Sequence, residues 1–88
     1  MNEKSVYRIY TEDMNRPEVV KVVSKYFDSF TVIPTLGYWK GIEEHSLIIE
    51  VIGLNQLIRV KQVAIDIKAL NKQAAVLVTM NSINSVLI

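Results

Sequence analysis

The chain has 88 residues, half of them hydrophobic, which is enough for one core in a single domain spanning 1–88. Ten basic residues against nine acidic ones leave a net charge of +1, and the lysines are dispersed rather than gathered in the basic stripe that a nucleic-acid polymer would require. The absence of cysteine excludes disulfides and thiolate metal sites, and no apolar run approaches the roughly 18 residues of a membrane span, so a soluble, unprocessed, cytoplasmic protein is expected.

Val6 to Thr11 is β-branched and aromatic, with Arg8 alternating against Tyr7 and Ile9, and reads as the first strand. Asn15 then stands where a helix cap belongs, with Pro17 in the first turn and Glu18 three residues on, the pattern of a capping box. The helix is expected from Arg16 to Phe27, burying Val19, Val22, Val23, Tyr26 and Phe27. A second strand follows from Phe30 to Leu36, and Pro34 marks it as an edge strand.

The segment Thr35 to Gly41 joins this strand to the next and holds the chain's only tryptophan. A third strand, His45 to Ile52, is almost continuously apolar and fits the middle of a sheet. From Asn55 to Asn71 the period is helical again, with Leu57, Val60, Val63, Ala64, Ile67 and Leu70 inward. Ile58 and Ile65 widen that stripe, as expected of a helix that touches a neighbour. Ala74 to Met80 makes a fourth strand, and Asn81 to Ile88 a C-terminal extension whose apolar end is expected to dock at a subunit interface.

The order β-α-β-β-α-β predicts an α+β, ferredoxin-like split βαβ fold, an antiparallel four-stranded sheet with both helices on one face. A mean hydropathy of +0.23 is rich for so small a domain, and covering the open sheet face in a homo-oligomer, a dimer or trimer, is the simplest use of the excess.

The candidate site is the aromatic turn. Tyr38 and Trp39 offer π-faces to a planar ligand, Lys40 a mobile cation for a phosphate, and Gly37 and Gly41, with Thr35 beside them, close backbone approach. The alternative is that Trp39 packs at a hairpin end and Lys40 is solvated. Glu43 and His45 lie on the same face of an extended strand and form, with Glu44, the only acid–histidine cluster; catalysis or metal binding there lacks the further groups it needs. Glu50 interrupts the third strand, and Arg8 or Tyr10 on the adjoining first strand is its expected partner if it faces inward. No cofactor and no metal is expected.

Tyr7 to Glu12, Gly37-Tyr38-Trp39-Lys40-Gly41 and Ser46 to Glu50 together resemble a set of small uncharacterised proteins of bacterial viruses and mobile elements. The fold is also similar to the trimeric PII-like signalling proteins, which bind nucleotides between subunits near the loop joining the second and third strands. These resemblances imply a non-enzymatic homo-oligomer that binds a small nucleotide-like ligand, in a viral setting as an anti-defence protein sequestering a host immune signal. The alternatives are a protein-interaction module acting on a host protein and, more distantly, a small hydrolase using His45.

Overall fold

The computed structural model describes residues 2–88, with side chains from residue 3 onward. Its elements are β1 (Asn2–Glu12), α1 (Arg16–Ser24), β2 (Thr31–Trp39), β3 (Ile42–Gly53), α2 (Leu57–Leu70) and β4 (Leu77–Ser85). The strands form one antiparallel sheet in the order β2-β3-β1-β4. This is the ferredoxin-like split βαβ arrangement, with β2 at an edge as Pro34 demands and β1 and β3 at the centre.

Strict alternation sorts the two sheet faces. Tyr7, Ile9, Ile49 and Val51 point at the helices and meet Val19 and Val23 of α1 and Val60, Val63 and Ile67 of α2 in one core. The stripe expected of α2 is the one that is buried. Tyr7 is 2% exposed, and its phenol accepts the Gln56 backbone N–H at 3.0 Å, so this ring fills the core and satisfies a donor at the start of α2.

The other face carries rows that run straight across the sheet. Ile33, Ile48, Tyr10 and Leu77 are in register, one from each strand, and the next row is Thr31, Glu50, Arg8 and Thr79. Arg8 Nε donates to Glu50 Oε2 at 2.9 Å in the middle of that polar row. Glu50 therefore does not face inward, the condition under which a partner is expected; it lies on the open face and meets Arg8 there.

Two expectations need correction. Asn15 is left-handed (φ 52°) and makes no side-chain cap; its amide donates instead to Asn71 Oδ1 at 3.0 Å, so tertiary contact displaces the capping box expected with Glu18. Asn81 to Ser85 is not an extension but the second half of β4, paired with Asn2 to Val6. Ladder bonding to β1 overrides the weak strand preference of asparagine and serine, and only residues 86–88 lie beyond the last strand. Among the described residues no helix is long and apolar enough to cross a membrane.

Candidate functional site

Lys40 and Gly41 have consecutive positive φ angles, 50° and 77°, the signature of a two-residue type I′ turn between Trp39 and Ile42. Gly41 is thus needed by the turn itself. Gly37 sits in mid-strand opposite Glu44, and a Cβ there would meet the Glu44 carbonyl oxygen at an ordinary 3.9 Å, so close backbone approach does not require it.

Because the hairpin is extended on both sides of the turn, alternation divides the residues of the aromatic segment. Thr35, Gly37 and Trp39 share the open face with Ile42 and Glu44, whereas Tyr38, Glu43 and His45 lie on the helix side. Thr35 Oγ1 and Ser46 Oγ are 3.1 Å apart across the ladder. Tyr38 and Trp39, both exposed, therefore cannot clamp one ligand between them. Lys40 Nζ lies 5.7 Å from the centre of the Trp39 ring, a cation–π contact at the hairpin tip.

Trp39 and Tyr10, in register with Ile42 and Ile48 of β3, line separate parts of one space on the open side. Together with Glu12, Glu44, Lys72 and Leu77 they line an open cleft of ≈ 940 Å³ that also borders the α2–β4 connection. Two aromatic surfaces, two carboxylates and one ammonium group surround a space of nucleotide size. Of the residues expected in a site, Trp39 and Tyr10 reach this cleft, while Arg8 and Glu50 occupy the adjoining rows of the same face. Glu12, Glu44 and Lys72 were not evident as site residues. Strand alternation from Trp39 across the turn carries the signal for Glu44, but nothing in the sequence places Lys72 there, since it arrives through the crossover of α2.

A buried polar cluster fixes the far wall. Thr11 (3% exposed) donates to Gln73 Oε1, and Asn71 Nδ2 (5% exposed residue) approaches both Thr11 Oγ1 and Gln73 Oε1 at 3.3 Å. Gln73 Nε2 in turn donates to the Ala75 carbonyl at 3.4 Å. The end of β1, the end of α2 and the start of α1 are joined here, and Lys72 is held in a left-handed conformation (φ 53°) between two of the cluster's members.

His45 is exposed, and its backbone carbonyl accepts the Asp13 N–H at 3.2 Å. Among the described residues no group of three or more histidine or acidic side chains is placed to hold a metal ion. A second depression, ≈ 440 Å³, lies at the opposite end of the sheet beside Lys25, Asp28 and Arg59, where Arg59 donates to the Tyr26 carbonyl at 3.3 Å.

No family model matches the chain, and no curated protein matches it. Solved structures do. A DUF3240 family protein from Shewanella baltica OS155 superposes with a TM-score of 0.69 at 10% identity, with 100% of both chains covered. A phage SAM lyase in complex with S-methyl-5′-thioadenosine gives 0.66 at 16% identity, covering 93% of this chain and 90% of that one. CPII, a nitrogen regulatory PII-like protein from Thiomonas intermedia K12 bound to ADP, AMP and bicarbonate, gives 0.65 at 11% identity, covering 93% and 91%. At these identities the likeness is one of fold.

Proposed function

We propose that the protein is a non-catalytic, homo-oligomeric binder of a small adenine nucleoside or nucleotide, held in the cleft between Trp39 and the α2–β4 connection. The observation that carries this reading is that Trp39, Tyr10, Glu12, Glu44 and Lys72 line one open cleft of ≈ 940 Å³. An adenine ring stacks on Trp39, and the carboxylates of Glu12 and Glu44 accept hydrogen bonds from ribose hydroxyls. The adenine-containing ligands named for CPII and for the phage lyase support the ligand class. In the viral setting that the family resemblance implies, such a binder withdraws a host nucleotide signal.

The charge of the lining refines the ligand. Two carboxylates against one ammonium group disfavour a run of phosphates and favour a neutral, singly charged or cationic nucleoside. Lys40, at the hairpin tip over Trp39, is not part of this lining, so Lys72 takes the role of the phosphate-facing cation. The test is a titration of Trp39 emission with adenosine, AMP, ADP, ATP, S-methyl-5′-thioadenosine and S-adenosylmethionine. Affinity is expected to fall as phosphates are added; a rise from AMP to ATP without added metal overturns the charge argument.

The same acidic, aromatic lining favours a second reading, turnover of a sulfonium nucleoside. The sulfonium is itself a good leaving group: the substrate's own carboxylate oxygen attacks the γ-carbon of its amino-acid chain, the carbon–sulfur electron pair passes to the sulfur, and S-methyl-5′-thioadenosine departs with homoserine lactone as the second product. Incubating the protein with S-adenosylmethionine and following S-methyl-5′-thioadenosine by mass spectrometry separates the two readings. Catalytic accumulation beyond one equivalent per chain supports turnover, and an unchanged ligand supports binding alone.

A further inference from the structure

From the free edge of the sheet we infer that β4 pairs antiparallel with β4 of a second copy of this chain, so that two sheets become one of eight strands. The inference rests on the assembly part of the proposed function and names the contact that makes it. The sheet has two edges, β2 and β4. A free strand edge offers unpaired backbone donors and acceptors, and proteins ordinarily protect it with charge, proline or a bulge. Proline interrupts β2 at Pro34, whereas β4 has none of these protections: no charged residue and no proline follows Lys72.

That composition selects the occupant. A twofold axis sets each residue of the strand against a residue of the same strand, so any charged side chain near the axis would meet a like charge, which destabilises the pair. An uncharged strand is free of this conflict and is self-complementary. With the axis at Asn81, the midpoint of Leu77–Ser85, Asn81 lies opposite Asn81 of the partner subunit, Thr79 opposite Ile83 of the partner subunit and Leu77 opposite Ser85 of the partner subunit. All these pairs share a sheet face, so both open faces look the same way and all four helices lie together on the other side. Continuing the same register sets Val86 beside Val76 of the partner subunit, which gives the exposed apolar end of the chain a place to dock.

α2 packs on β1 and β4, and its Arg59 and Asp66 bond to Tyr26 in the turn that follows α1. Ile58 and Ile65, 85% and 58% exposed, lie seven residues apart on the side of α2 opposite its buried stripe of Val60, Val63 and Ile67, facing away from the sheet.

The chain has no cysteine, so single cysteines report the contact directly. Opposed residues of an antiparallel pair have Cα atoms about 4.5–5.5 Å apart, within the range a disulfide spans. Under a mild oxidant, Asn81→Cys is expected to give a disulfide-linked dimer and no larger species. A mixture of Met80→Cys and Ser82→Cys chains is expected to give the mixed dimer, because these helix-side positions are opposed in the same register. Asn81→Cys that stays monomeric, or that links only to an Ile33→Cys chain on β2, overturns the inference, as does linkage at Asn81 without the mixed Met80–Ser82 product. None of these outcomes depends on ligand, so the titration of Trp39 stands or falls separately.

Discussion

Thr11 and Asn71 are buried polar residues whose hydrogen bonds reach from β1 to the α2–β4 connection, and the cleft wall depends on them. Replacing Thr11 by valine keeps the shape but removes the hydroxyl that serves both Asn71 and Gln73. An orphaned buried group costs about 1–3 kcal/mol, so Thr11→Val is expected to lower the unfolding free energy by that order and to speed amide exchange at residues 72–76. Thr11→Ser, which restores the hydroxyl, is expected to recover most of the exchange protection. Unchanged protection in Thr11→Val would mean that the wall is held by the backbone alone. The cluster was not legible in the sequence because Thr11 reads as the end of a strand and Asn71 as the end of a helix. Only the fold puts the two ends together.

At the scale of elements, the sequence was most legible where one face of an element is apolar. Val19 and Val23 announce α1, Val60, Val63 and Ile67 announce α2, and Pro34 marks the edge strand, since burial imposes periods that survive any detail of packing. Boundaries were less legible. β4 runs on through Asn81 to Ser85 because β1 offers it a ladder, a contact no local propensity encodes.

α2 is also joined by a polar link to the turn that follows α1, Tyr26 Oη donating to Asp66 Oδ2 at 3.0 Å. That bond to the Asp66 carboxylate, followed by desolvation and the charge of Asp66, raises the Tyr26 phenol above its ordinary value of 10.0. A group whose folded pKa is raised contributes stability that is complete below the unfolded pKa and lost as pH climbs through the folded one. The wild-type melting temperature is therefore expected to fall from pH 9 to pH 11 more than that of Tyr26→Phe. Equal losses in the two proteins would remove Tyr26 from the account.

For the whole molecule, the in-register apolar row Ile33, Ile48, Tyr10 and Leu77, the uncharged β4 edge and the cleft all lie on or beside the face that the helices leave open. The proposed assembly and the proposed ligand binding thus draw on neighbouring surface. Trp39 was legible as a candidate because a lone tryptophan at a hairpin end is conspicuous. The other cleft residues Glu12, Glu44 and Lys72 come from three separate parts of the chain; alternation across the turn points to Glu44, but no periodic signal points to Glu12 or Lys72. Tyr38 and His45 were also candidates, and strand alternation turns them to the other side.

The most direct test of the account is a binding titration of the adenine panel against wild type and Trp39→Ala, read by calorimetry so that both proteins report equally. The account predicts saturable binding of at least one adenine nucleoside or mononucleotide to wild type, at least tenfold weaker in Trp39→Ala, whose melting temperature and oligomeric state stay within those of wild type. Such a loss corresponds to about 1.4 kcal/mol, within the range measured for removing one stacking side chain from a base. No heat of binding to wild type at millimolar ligand, or equal affinity in the variant, would contradict the cleft as the site.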